Sequence, residues 1–218
     1  MNIFEAVQNG DRDALDSLLR GDPEAVNETD SAGLRPVEIA MYYGQREIAA
    51  QLRAAMDSVN IWEAAALGEL ETVQVLAQAD PKAVNAVAPD GFTPLGLAAF
   101  FGWAEVLGWL VDQGANPNVH SENQMSVYPI NSAAANRNEE TALKLVRVLV
   151  EHGADVNVAQ HGGWTPLHQA AAHDLRRLTR FLLDHGADRS VKSEDGRTAE
   201  DMARAGGFEA LAEEISAG

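Results

Sequence analysis

Six histidines are the residues of this 218-residue chain best suited to chemistry, as metal ligands or as proton carriers near neutral pH. Their spacing argues against both roles. His152 and His185 each stand in a recurring His-Gly-Ala-Asp string and His168 in Thr-Pro-Leu-His, so repetition marks them as structural. His120, His161 and His173 remain, with no HExxH, no CxxC and no carboxylate recurring at ligand spacing. The absence of cysteine removes thiolate nucleophiles, disulfides and thiolate zinc sites. Ser121, Ser126, Ser132 and Ser193 lie in no GxSxG, and "GANPN" and "HGGW" lack the lysine and helix start of a phosphate loop. The expectation is a chain that is no enzyme and carries neither metal nor cofactor. A copurifying cofactor or metal would instead mark an enzyme that uses its scaffold only as a frame.

The formal charge of −17 excludes a phosphate-backbone ligand, which needs a basic footprint. Between Lys82 and Arg137 there is no Lys or Arg, while Asp90, Glu105, Asp112 and Glu122 fall inside that window. Such a stretch is either a solvated acidic surface or a field that favours basic partners. No apolar run reaches the roughly 18 residues of a membrane span, and the start "MNIFEAVQNGDRDALD" lacks a basic region followed by a long apolar one. A soluble, cytoplasmic protein without membrane contacts is expected.

The elements that would position any site emerge when the chain is slid against itself. Residues 3–53 match 61–111 without a gap, with 16 identities in 51 positions, so that "DPEAVN" meets "DPKAVN" and "AMYYGQREI" meets "AAFFGWAEV". A finer period shows in "GFTPLGLAAFFG…LVDQGANPN", "SVYPINSAAAN…LVEHGADVN" and "GWTPLHQAAAHD…LLDHGADRS". Thr165 followed by Pro166 suits a helix start, because the hydroxyl can satisfy orphan amides and proline is tolerated in the first turn. The Ala170–Ala171 pair permits close helix approach. Leu178, Phe181 and Leu182 form an apolar stripe on a second helix, and Gly114, Gly153 and Gly186 recur where a left-handed C-cap belongs. One such helix pair cannot bury both of its faces, so the pairs must stack.

"TPLHQAAAHDLRRLTRFLLDHGAD" (165–188) resembles the ankyrin repeat, and the resemblance covers nearly the whole chain. It implies an all-α solenoid of helix-turn-helix units with β-turn fingers, one domain over 1–218. The units read as an N-terminal cap 1–32, then 33–59, 60–90, 91–123, 124–161 and 162–194, and a C-terminal cap 195–218. Departures from the pattern are informative. "LRAAMDSVNIWEAA" is too short for a finger and its Gly-Ala-Asp, so a gap in the finger row, and the weakest point of the array, is expected near 54–60. The interval from Pro129 to Gly153 exceeds its counterparts by four residues near "NRNEE" (136–140), lengthening a helix end or a turn. Arg35 replaces the family threonine and Gly96 the histidine, which would loosen those two units.

With the repeat as ruler, Trp109 aligns with Phe181, Val148 and Val75 and reads as core, whereas Trp62 and Trp103 read as partly buried. The slots after the alanine pair, Tyr42–Tyr43, Phe100–Phe101 and His173, together with finger residues Leu34, Phe92 and Trp164, are those that the resemblance places on a concave groove. These eight residues are the candidate partner-binding set. Exposed together, Leu34, Tyr42, Tyr43, Phe92, Phe100 and Phe101 would leave more bare apolar area than the roughly 400 Å² a surface carries without purpose; alternatively, neighbouring fingers and helix ends cover one another. The function implied is binding of a protein or peptide, one with apolar anchors or a basic surface, by a monomeric module. The alternative is an acidic inhibitor or immunity-type protein that neutralises a basic enzyme.

Overall fold

The start and stop signals act as the residue types require. The computed structural model describes residues 1–217. Thr93 and Thr165 cap helices whose first residue is proline, their hydroxyls accepting from the amides of Gly96 (3.1 Å) and His168 (3.4 Å). Gly114, Gly153 and Gly186 end the second helices at φ of +87°, +85° and +87°, a region that a Cβ disfavours. The result among the described residues is seven helix pairs and no strand. They are α1 (Ile3–Gln8) with α2 (Arg12–Gly21), α3 (Pro36–Tyr42) with α4 (Arg46–Ala55), and α5 (Ile61–Leu67) with α6 (Leu70–Ala79). Then follow α7 (Pro94–Phe101) with α8 (Ala104–Asp112), α9 (Pro129–Ala134) with α10 (Glu139–Glu151), α11 (Pro166–Ala172) with α12 (Arg176–Asp184), and α13 (Ala199–Ala205) with α14 (Glu209–Ser216).

First helices stack on first helices through their alanines. Ala64, Ala65, Ala98, Ala99, Ala133, Ala134, Ala170 and Ala171 are all fully buried, as are the stripe leucines Leu107, Leu110, Leu145, Leu149, Leu178 and Leu182 of the second helices. Three asparagines stitch neighbouring pairs together. Asn85 Nδ2 donates to the Gly114 carbonyl (3.1 Å) while its Oδ1 accepts from Asn116 N (2.9 Å). Asn118 bonds Gly153 O and Asp155 N in the same way, and Asn157 bonds Gly186 O and Asp188 N. The fingers form a second row. Glu122 N donates to Gly91 O, His161 N to Met125 O and Glu194 N to Gly162 O. Gly91 and Gly163 sit so close to the next finger that a Cβ would meet backbone at 2.8 and 2.9 Å.

The finger is missing between α4 and α5, where only residues 56–60 intervene. The row nevertheless closes in space, because Gly33 of the preceding finger abuts Pro89 of the following one. Asn27, the duplicate of Asn85, has no Gly-Ala-Asp loop to grip. Its Oδ1 accepts instead from Arg35 Nη2 (2.7 Å), and the same guanidinium reaches the Ser58 carbonyl (3.3 Å) and the fully buried Glu63 carboxylate (3.1 Å). Arg35 therefore does not loosen its unit as the lost threonine suggests; it clamps the junction. Gly96 is likewise compensated, since the Phe92 ring fills the space where a histidine would stand, 3.1 Å from the position of a Cβ. The extra residues near 136–140 lengthen a helix. α10 has 13 residues against nine in α8 and α12, is capped by Asn138, and its Glu139 accepts from Arg177 N (2.7 Å).

Removing Arg35 leaves Glu63 buried and unpaired, which costs about 3 kcal/mol or more. Hydrogen exchange of the wild type is expected to show residues 1–56 opening before 91–190, and Arg35→Ala to lower the opening free energy of 1–56 by about that amount without changing 91–190. Uniform loss of protection along the array would contradict this.

Glu38 is the second buried carboxylate at the junction. Burial foremost, then the neighbouring charges of Glu63 and Asp90, raise its pKa to about 7, against the pull of the Arg35 amide (2.9 Å) and guanidinium. Because the folded pKa lies above the unfolded value of 4.5, its favourable contribution is complete below pH 4.5 and is lost as pH rises to about 7. Glu38→Gln keeps an acceptor without the charge. Urea unfolding at pH 5 and pH 8 is expected to show the wild type falling relative to Glu38→Gln by roughly 2 kcal/mol between the two.

Candidate functional site

The aromatic slots converge because of what lies between them. α3 ends in Tyr42 and α7 in Phe100–Phe101, while α5 between them presents buried Ala66 instead of a ring. The rings close over this low point. Tyr42 lies 5.7 Å from Phe100 and 5.4 Å from Phe101 between centroids, Phe100 lies 5.0 Å from Phe101 edge-on, and Phe92 lies 6.1 Å from Phe100. These are the offset and edge-to-face separations that ring quadrupoles favour. The Tyr42 hydroxyl donates to Asp90 Oδ2 at 2.5 Å. Burial, and then the Asp90 charge, hold that phenol protonated far above its usual range. Asp90 in turn caps its own finger, accepting from Phe92 N (3.0 Å), and its carbonyl accepts from Asn123 Nδ2 (2.8 Å).

Burial divides the eight candidates. Leu34 and Phe92 are in the core; Phe92 supports the face from below and Leu34 does not form it. Tyr42 and Phe101 are half-buried. Phe100, at 46% exposed, is the surface of the cluster, and Tyr43, at 56% exposed, follows Tyr42 in the chain without joining the ring contacts. Trp164 and His173 lie further along the array and do not join it. Trp164 is half-buried 6.3 Å from the His168 ring, and His173 closes α11 beside Arg137, with burial first and that cation second lowering its pKa.

Trp109 requires a correction. It is half-buried beside an open pocket lined by Ala77, Pro81 and Val84, and its aligned equivalent Val75 is 64% exposed, whereas Phe181 is buried. The repeat fixes the register of this position but not its depth, which depends on the reach of the neighbouring helix. Trp62 and Trp103 are partly buried as expected, with Nε1 donating to Ala86 O (3.1 Å) and Ala66 O (2.7 Å). The histidines of the motifs are structural. His168 Nδ1 accepts from Thr165 N (3.2 Å) and Nε2 faces the Arg197 carbonyl (3.1 Å); burial lowers its pKa, so it is a neutral ring spanning two helix pairs. Among the described residues no three His, Asp or Glu side chains converge as metal ligands. Also among them, no helix is long and apolar enough to cross a membrane. Sequence reading singled out Arg35 but missed its clamping role, and it missed the asparagine stitches; Asn27, Asn85, Asn118 and Asn157 recur at one repeat position, which was the available signal.

The arrangement offers a ring-faced surface beside a carboxylate. Comparisons with known proteins agree with this geometry. A model of ankyrin repeats in three copies matches residues 61–160 and 120–193. The probable 26S proteasome regulatory subunit p28 of Saccharomyces cerevisiae is 28% identical over 184 residues, 78% of each chain. Human BCL-6 corepressor-like protein 1 is 32% identical over 52% of this chain but only 6% of its own length. The ankyrin repeat, SAM and basic leucine zipper domain-containing protein 1 of Saimiri boliviensis boliviensis is 36% identical over 48% of this chain and 21% of its own. Ankyrin repeats and a proteasome regulatory subunit among the relatives support a protein–protein interaction module. With the family model matching 61–193 and helix pairs stacked through alanines, glycine caps and fingers, the chain belongs to the ankyrin-repeat family.

Proposed function

We propose that this chain is a non-catalytic, monomeric adaptor, one ankyrin array in the cytoplasm, that holds a segment of another protein on the concave face around Tyr43 and Phe100. The observation that carries this reading is the exposure of Phe100, the outermost ring of a four-ring cluster whose other members are held in place, with the exposed Tyr43 next in sequence to its member Tyr42. A rigid aromatic patch loses little entropy on binding and can anchor an apolar or cationic side chain. Asp90 at the cluster, and the lack of any Lys or Arg from 83 to 136, favour a partner segment that is basic around its apolar anchor. The likeness to a proteasome regulatory subunit fits a protein that acts by joining an assembly, without naming which. Seven units with the boundaries given above remain the proposed subdivision.

The test is selection of a displayed random-peptide library on the wild type, followed by titration against a Tyr43→Ser/Phe100→Ser variant. Phe100 gives up its contacts with Tyr42, Phe92 and Phe101, so the variant is expected to lose about 1 to 3 kcal/mol of stability yet remain folded, while binding falls by about 30-fold, equivalent to about 2 kcal/mol. The selected peptides are expected to pair an aromatic or leucine anchor with Arg or Lys and to weaken only modestly between low and high salt, because the anchor carries most of the affinity. Binding that survives the variant and collapses with salt would replace this reading by electrostatic neutralisation of a basic enzyme.

A further inference from the structure

We infer that the groove beside α4 and Trp103 is a second binding site, for a small aryl carboxylate. The cavity holds about 410 Å³ and its wall is formed by Met41, Ala49, Ala50, Ala54, Leu67 and Trp103. That volume is within the range of small-molecule sites, roughly 300 to 1,000 Å³, and an apolar wall with few polar groups is their usual character.

The internal duplication shows why the space is open. Register 58 places Ala49 on Leu107, Arg53 on Val111 and Arg46 on Ala104. In the second copy Leu107 and Val111 are buried; in the first copy the smaller Ala49 is buried at the floor of the groove and Arg53 lies at its rim. The Trp103 indole is fixed as one wall. Its Nε1 is bonded to Ala66 O, and the ring lies on Gly68, where a Cβ would come within 2.6 Å of it.

Charge selects the ligand. Arg53 is neutralised at the rim by two bonds to Glu69, at 2.7 and 3.2 Å. Arg46 stands over Trp103, 5.8 Å from the ring centroid, and among the described residues it has no carboxylate partner, in a chain with 33 acidic residues. A flat aromatic ring seated against the alanines and Trp103 would bring a short-chain carboxylate to this guanidinium, whose planar fork suits it. A neutral ligand leaves Arg46 unused, and a cationic one meets it unfavourably.

The experiment follows the Trp103 indole N–H by NMR during titration with 4-phenylbutyrate, 4-phenylbutyramide and 4-phenylbutylamine. For a ligand of this size a saturable shift with Kd of about 0.1 to 1 mM is expected with the carboxylate. The amide and the amine should bind at least about tenfold more weakly, the loss of one charge-assisted pair. Two variants borrow the duplicate's own residues. Arg46→Ala is expected to weaken the carboxylate by about tenfold or more, and Ala49→Leu to abolish its shift at some cost in melting temperature, because the added bulk enters a buried position. Arg46 is exposed, so its replacement keeps the test valid if leucine overpacks. No saturable shift by about 10 mM, or equal binding of amide and carboxylate, or an unchanged titration in Arg46→Ala, would overturn the inference.

Discussion

Every helix pair here needs a neighbour, and the most economical means of holding one is a single amide side chain. Asn85, Asn118 and Asn157 each donate to the last glycine carbonyl of the next loop and accept from an amide two residues on, satisfying two backbone groups that helix ends leave orphaned. The geometry works only if the loop turns through a left-handed glycine, so the stitch and the Gly-Ala-Asp string depend on each other. Alanine stacking supplies apolar contact between first helices; the stitches set the spacing at which it occurs.

Where the loop is absent, at Asn27, the same acceptor atom is taken by Arg35, and the consequences spread from there. The guanidinium reaches across to Glu63, the capping residue of the next first helix, which also accepts from Asn60 N (2.8 Å). With no intervening finger, Gly33 meets Pro89 directly, and α3 and α7 send rings toward each other over Ala66. The aromatic face is thus a product of the missing finger as much as of the aromatic residues. A bulky residue at Ala66, as the duplicate slots Tyr42 and Phe100 carry elsewhere, would hold the rings apart.

The architecture was legible in the sequence because its signals are local: proline after threonine, paired alanines, glycine after an apolar stripe. Partial burial of Trp62 and Trp103 followed from their slots. Depth was not legible. Trp109, Val148 and Val75 share a register with buried Phe181, yet their burial depends on side chains one repeat away, and next to Trp109 those are the short Ala77 and Val84. The Arg35 clamp was hidden for a related reason. Nothing at positions 27, 58 or 63 announces a partner until the deletion has brought them together. The site was half legible, since spacing named Tyr43 and Phe100 but could not separate them from the buried Leu34 and Phe92.

The clamp is an unusual choice for a structural joint. Arg35 Nε and Glu63 Oε1 are buried with no hydrogen-bond partner, so the pair is incompletely satisfied, and such pairs return little net stability for the desolvation they require. What they return is register. An apolar joint between α3 and α5 could slide or tilt, whereas a guanidinium bonded to Asn27, Ser58 and Glu63 fixes one arrangement. That arrangement also sets Tyr42, one helical turn beyond Glu38, at bonding distance from Asp90. The carboxylate of Glu38 therefore belongs to the same problem: in its charged form it faces Glu63 and Asp90 with only Arg35 to offset them. Proton uptake by Glu38 relieves that repulsion, and because the Glu38 charge also acts on the Tyr42 phenol, the aromatic face and the joint share one electrostatic balance.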